Sequence, residues 1–279
     1  MPPGDPVSAA GLARAALEAL RGGPPVAGAT VLEAEGEAAA GARMLVWEDR
    51  RAGSLGDPEL DDRAAELARA LLRGEGREGP RAVETPRGRW TLFLEAHRPP
   101  PELVIVGAGH IARPLCRVGA MLGFRVRVLD DRPEFATRER FPDAEEVRRA
   151  DFSDPFRDVP VGPDTHLVLV TRGHRYDFEA LRGLLLGTAL PAYVGMVGSR
   201  RRVRAALEQL AREGISRERL LRVYAPIGLD VGAETPEEVA VAIAAEIVRV
   251  RRGGSGVSLR DRDRVVERWI ADTPEAGGP

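Results

Sequence analysis

The sequence predicts an α/β fold: a Rossmann-like parallel-sheet domain towards the C-terminal end, preceded by a smaller α+β domain. Three observations carry this expectation. The apolar run from Leu103 to Val106 passes through Gly107-Ala108-Gly109 into a helical pattern that opens with Ala112. A second β-like run, Val126 to Leu129, ends at Asp130-Asp131 about twenty residues beyond those glycines. From 102 to 252, apolar strands alternate with helical periodicity, the pattern of a parallel sheet covered on both faces.

The elements follow in order. Ser8 is placed to cap a first helix with Leu12, Ala16, Leu17 and Leu20 on one face and Gly22-Gly23 at its end. Val26 to Leu32 and Met44 to Trp47 read as strands, separated by an Ala/Gly-rich segment through Gly41. At Gly53-Ser54-Leu55-Gly56 a turn leads to Asp57 as N-cap and Pro58 as the first helical residue. That helix carries Leu60, Ala64, Leu67, Leu71 and Leu72 and stops at Gly74, and Trp90 to Glu95 adds a strand. The first domain is therefore 1–96, and Arg98-Pro99-Pro100-Pro101 makes 97–101 a stiff, donor-poor linker.

In the second domain, 102–252, Val147 belongs to a short third strand and Leu167 to Thr171 to a buried one. A helix begins near Tyr176 or Asp177. Ala192 to Val197 is the next strand, followed by Gly198-Ser199-Arg200-Arg201-Arg202 and a helix reaching about Glu213. The run from Pro226 to Glu234 is too apolar for an exposed loop and too glycine-rich for a helix, which puts it at the carboxyl edge of the sheet. Thr235-Pro236-Glu237-Glu238 is a capping box that opens the last long helix. Gly253 to Gly256 is a flexible joint, and the tail 253–279 holds one short helix from Arg264 to Ile270.

Composition excludes several chemistries. All 41 cationic side chains are arginine, so a Walker-type phosphate lysine, a Schiff-base lysine and a lysine general base are absent. An anion must be held by Arg, backbone N–H or a helix start. The net charge of −2 gives no reason to expect nucleic acid or an anionic membrane as partner. The single Cys116 forms no internal disulfide and falls on a helix interior, where a thiol is buried and inert. The start of the chain lacks the pattern of a secretion signal and no apolar run approaches membrane-spanning length, so the expected location is the cytoplasm.

The glycine loop reads as a phosphate cradle: Gly107 for a tight turn, Gly109 for close backbone approach, Ala112 for close packing of helix on strand. Asp130, with Asp131 beside it, stands where a ribose-binding acid is expected. Gly198, Ser199 and Arg200 form either a second anion site or a solvated arginine cluster. His110 can contact a phosphate or pack at the loop, and Thr171, His174, Asp177 and Glu234 are placed to line the crevice. His97 and His166 read as structural. Scattered histidines and one cysteine give no metal-ligand spacing, and no acid–base pair is recognisable, so no catalytic residue is assigned. From the residues alone the ligand is nucleotide-like, and NAD fits.

The chain resembles the xanthine dehydrogenase accessory factors of the XdhC/CoxI type. The resemblance rests on Val-Ile-Val-Gly-Ala-Gly-His at 104–110, Asp-Asp-Arg-Pro-Glu-Phe-Ala at 130–136, Arg-Phe-Pro-Asp-Ala at 140–144, Gly-x-x-Gly-Ser-Arg at 195–200 and Pro-Ile-Gly-Leu-Asp-x-Gly-Ala-Glu-Thr-Pro-Glu-Glu at 226–238. Gly41 to Val46 and Gly53 to Gly56 are similar to the family's N-terminal domain. The resemblance implies a maturation factor that binds the molybdenum cofactor, as molybdopterin or its dinucleotide form. It would protect that cofactor while a cysteine desulfurase sulfurates it and help insert it into an apo molybdenum hydroxylase. The alternative is an NAD-dependent oxidoreductase. A homodimer is compatible with either. Two departures bear on mechanism: Asp57-Pro58-Glu59 replaces the family's Gly-Cys-x-Glu, and Thr171-Arg172-Gly173-His174 replaces its Thr-His-x-His.

Overall fold

In this computed structural model the described residues are 7–35, 40–152, 156–157, 159, 161–187 and 190–272, with the side chains at 174, 175 and 270–272 lying outside them. The chain divides into two compact units, Met1–Pro100 and Pro101–Pro279.

The first unit is an antiparallel sheet of order β3-β2-β1-β5-β4 with two helices. Its elements are α1 (Ala9–Leu20), β1 (Val26–Glu35), β2 (Arg43–Val46), β3 (Arg51–Gly53), α2 (Pro58–Leu72), β4 (Gly79–Thr85) and β5 (Gly88–His97). Alternation along β1 sends Ala27, Ala29 and Val31 into a core with Leu60, Ala64, Ala68 and Leu71 of α2 and Trp90, Leu92 and Leu94 of β5. Ser8 accepts from the Gly11 N–H at 3.0 Å, as a cap should. The face of α1 differs from the expected one. Ala16 and Ala19 are buried, while Leu17 and Leu20 are 47% and 50% exposed, because small residues let the helix approach the sheet closely. On α2, Leu67 is likewise at the surface. β3 and β4 carry no apolar alternation strong enough to announce them, and they form because β2 and β5 offer unpaired edges.

The second unit is a parallel sheet of order β11-β10-β9-β6-β7-β8. Its strands are β6 (Glu102–Val106), β7 (Arg125–Asp130), β8 (Glu146–Arg149), β9 (Thr165–Leu169), β10 (Tyr193–Met196) and β11 (Val223–Tyr224). Its helices are α3 (Ala112–Met121), α4 (His174–Leu186), α5 (Arg200–Arg212), α6 (Arg217–Leu220), α7 (Pro236–Arg252), α8 (Leu259–Asp263) and α9 (Val265–Asp272). The helix after β9 starts earlier than expected, and β11, α6 and α8 are too short for periodicity to reveal.

β6 is apolar from Leu103 to Val106, where it is buried on both faces. Leu103 and Ile105 pack under α3 and α7 with Leu115, Ile243 and Ile247. Val104 and Val106 face the opposite way, towards α4 and α5 with Leu181, Leu184 and Leu210. Each such buried aliphatic side chain contributes about 1.5–3 kcal/mol. Gly119 keeps α3 close to β6, since a Cβ there would meet Leu103 Cδ2 at 2.5 Å. The strand order reverses direction at β6 and β9, which is where a doubly wound sheet opens a crevice.

Candidate functional site

Register brings the expected residues to one edge. Val106 is opposite Leu129 and Leu169, and Leu169 is opposite Met196, so Gly107, Asp130, Val170 and Val197 leave the sheet in one row. Gly107 has φ +107°, and a Cβ on it would lie 2.5 Å from the Val170 carbonyl oxygen, so only glycine fits the turn. At Gly109 the situation is reversed: a Cβ would meet nothing within 4 Å. Ala112 is fully buried at the start of α3. Among the described residues no side chain caps α3, whose flanking residue is Ile111, which leaves its first N–H groups without a side-chain acceptor. His110 is exposed beside them.

Asp130 departs from the expected role. It is 0% exposed, and both carboxylate oxygens are engaged by the chain itself. Oδ2 accepts from the Ala108 N–H at 2.6 Å, Oδ1 accepts from the Arg132 N–H at 3.0 Å, and the Arg132 guanidinium forks onto both oxygens at 2.9 and 3.0 Å. Burial by itself would raise this carboxyl, but the Arg132 fork and the two backbone donors outweigh it and hold it below the ordinary aspartate range. Asp130 thus ties the glycine loop to the end of β7. The fork also answers the repulsion that Asp130 alone would present to a nearby phosphate.

Asp131 is the more accessible acid. Its Oδ2 accepts from Arg172 Nη2 at 2.7 Å, an ion pair that runs from the end of β7 to the end of β9 across β6, while its Oδ1 is buried without a hydrogen-bond partner. Phe135 holds the loop after β7 between two guanidiniums, Arg132 at 3.5 Å and Arg140 at 4.6 Å from the ring centroid. Arg140 Nη2 in turn donates to the Ala108 carbonyl at 3.3 Å.

Thr171 donates to buried Asp177 at 2.6 Å, closing the first turn of α4, whose flanking Gly173 makes no side-chain cap. His174 begins α4, and its side chain lies outside the described residues. Ser199 caps α5 by accepting from the Arg202 N–H at 3.4 Å. Gly198 precedes it, and Arg200 is exposed with no ion pair among the described residues. The apolar run before α7 does lie at the carboxyl edge: the Ile227 N–H donates to the Met196 carbonyl at 3.1 Å, and the bare Cα of Gly195 makes room for Ile227. Buried Glu246 fastens it, accepting from the Tyr193 hydroxyl at 2.6 Å and the Gly228 N–H at 3.0 Å. Glu234, in contrast, is exposed, and its backbone N–H donates to Glu238. No described contact joins its carboxylate to the row. The expected capping box is present, with Thr235 and Glu238 satisfying each other's backbone.

Cys116 and His166 are packed away from this edge. Burial, then Asp143, pushes the Cys116 thiol up to about 11, and buried His166 packs edge-on against Phe124. No group of three or more metal-ligating side chains occurs among the described residues. None of their helices is long and apolar enough to cross a membrane.

A family model described as the XdhC Rossmann domain matches residues 103–247, more than half of the chain, and one described as the XdhC and CoxI family matches 19–83. The chain belongs to the XdhC and CoxI family. It is 34% identical over 170 residues to the uncharacterized protein YqeB of Escherichia coli K12, covering 61% of this chain and 31% of that one. It is 31% identical over 161 residues to a Bacillus subtilis 168 protein described as a probable xanthine dehydrogenase subunit, covering 58% and 46%. The match therefore spans less than half the length of either curated relative. A crystal structure described as a xanthine dehydrogenase from Bacillus halodurans shares the fold, with a TM-score of 0.52, 22% identity, and coverage of 88% of this chain and 98% of that one.

Within this family domain the sequence motifs point to the row of strand ends but not to the arginines that organise it. Arg132, Arg140 and Arg172 all stand in or beside those motifs. Nothing in their spacing says which guanidinium folds back on an acid and which remains open.

Proposed function

We propose that this protein is an accessory factor for a molybdenum hydroxylase, carrying the molybdenum cofactor during its maturation. The observation that carries the reading is the open half of the glycine loop: Gly109 faces empty space and α3 lacks a cap, in the domain matched by the XdhC Rossmann model. Backbone N–H groups at 109–112 would receive the phosphate that every form of the cofactor carries, with His110 beside them. Bound cofactor would supply the redox centre of the hydroxylase that finally receives it. This chain's part is to hold, shield and hand over. The name of the Bacillus subtilis relative supports a hydroxylase of the xanthine dehydrogenase type as recipient. Protection during sulfuration by a cysteine desulfurase belongs to the same reading. Cys116 is too buried to relay sulfur, so the sulfur would come from the partner.

One observation favours a second reading. The strand order is that of dinucleotide-binding sheets, which suits an NAD-dependent oxidoreductase. Against it, the acid that would receive the ribose is enclosed by Ala108 and Arg132.

Equilibrium binding of the purified chain to molybdenum cofactor and, in parallel, to NAD and NADH decides between them. The carrier reading expects tight cofactor binding that Gly109→Val abolishes, with dinucleotides bound weakly. Tight NADH binding without affinity for molybdenum cofactor would overturn it.

A further inference from the structure

Between α3, the turn at 140–143 and the first turns of α7 lies a cavity of about 570 Å3, within the range of small-molecule sites. His110, Arg113, Arg117 and Arg140 line it, together with Asp143 and Glu237. Arg113 and Arg117 stand four residues apart on α3 and both are exposed. Like charges at that spacing repel. Arg113 also lies in the first turn of α3, which holds no acidic residue and where the backbone dipole opposes a cation. Neither guanidinium has an ion-pair or hydrogen-bond partner among the described residues, although two carboxylates share the wall. Arg140 is drawn to the glycine loop by its bond to the Ala108 carbonyl, and its Nε is buried with no hydrogen-bond partner. Three guanidiniums and an imidazole are thus gathered round one cavity against local preference, with no ion pair to the chain among the described residues. A polyvalent anion stabilises such an arrangement.

We propose that this cavity is a binding site for a phosphate ester, held by Arg113, Arg117 and Arg140 with His110 as a further donor. Guanidinium forks match phosphate oxygens, and the absence of lysine leaves this work to arginine. The phosphate belongs either to the dinucleotide form of the molybdenum cofactor, as its second phosphate beyond the one at the glycine loop, in which case the site rests on the function proposed above, or to a separate phosphorylated small molecule.

Titration calorimetry of the full chain with inorganic pyrophosphate at low salt tests the site without any cofactor. Binding is expected, and Arg113→Ala/Arg117→Ala should weaken it by about tenfold or more. Raising the salt should weaken it as well. Both arginines are exposed, so the double variant should keep the wild-type melting temperature. Arg204→Ala, which removes a surface arginine paired with Glu208 on α5, should bind as wild type. Absence of pyrophosphate binding by the wild type, or equal affinity in the double variant, would overturn the proposal. Competition between pyrophosphate and molybdenum cofactor assigns the phosphate to the cofactor, and simultaneous binding assigns it to a second ligand. If the chain binds no molybdenum cofactor at all, the carrier function fails while the pyrophosphate result is still read by itself.

Discussion

Two glycine loops in this chain each run from a strand into a helix, and they end differently. At Gly53 to Pro58 the chain supplies acceptors from its own side chains. Gly53 has φ +85° and a Cβ there would lie 2.9 Å from the Arg43 carbonyl oxygen. Leu55 is fully buried and its N–H donates to Asp61 at 2.6 Å. Asp57 caps α2 through the Leu60 N–H at 2.8 Å and receives Arg87 on its other oxygen at 3.2 Å. At Gly107 to Ala112 only the first half is closed, by the tight turn at Gly107 and by Asp130 on the Ala108 N–H. In the second half a Cβ on Gly109 would meet nothing within 4 Å, and among the described residues no side chain caps the start of α3. Glycine before a helix is therefore neutral evidence for binding. What separates a structural loop from a cradle is whether the chain supplies the acceptors itself.

The contrast inside the cradle should give the largest effect. Gly107→Ala forces a Cβ onto a backbone carbonyl at positive φ and should cost on the order of 3 kcal/mol. Gly109→Ala should change stability by less than about 0.5 kcal/mol. Urea denaturation of both variants measures the gap, and equal losses would mean that Gly109 is as enclosed as Gly107. Next comes Asp130→Ala, which leaves the buried Ala108 N–H and the Arg132 fork without their acceptor and should destabilise by about 2–3 kcal/mol. A loss of ligand affinity with unchanged stability would instead return Asp130 to the role of ribose acid.

On the closed loop, Asp57→Ala removes a cap and should cost about 1–2 kcal/mol, read from the melting temperature, with no effect on any ligand. The smallest effect is a pH slope confined to the parallel unit. Burial holds the His166 imidazole below the ordinary histidine range, so the fold accommodates its neutral form. Stability should be full well above about pH 6.5 and decline below it, by at most about 1.4 kcal/mol at pH 5.5. His166→Phe should flatten that slope in denaturation curves at pH 7.5 and 5.5, and an unchanged slope would place the titration elsewhere.

Features under the control of local chemistry are legible in the residues alone. The caps at Ser8, Asp57, Ser199 and Thr235, the apolar β6 with its glycine turn, and the ending of β7 at Asp130 are all set by residues within a few positions of one another. From them follow the parallel sheet and the edge where the candidate residues gather. Features that depend on partners distant in sequence emerge only when the chain is folded. β3, β4 and β11 exist only because a neighbouring strand has an open edge. Arg132 encloses Asp130 while Arg172 reaches from another strand end to Asp131, and Arg113, Arg117 and Arg140 meet at one cavity because α3 packs beside the turn that follows β7. A guanidinium on a long side chain takes its acceptor from whatever the fold brings within reach, so its role cannot be read from its neighbours in the chain.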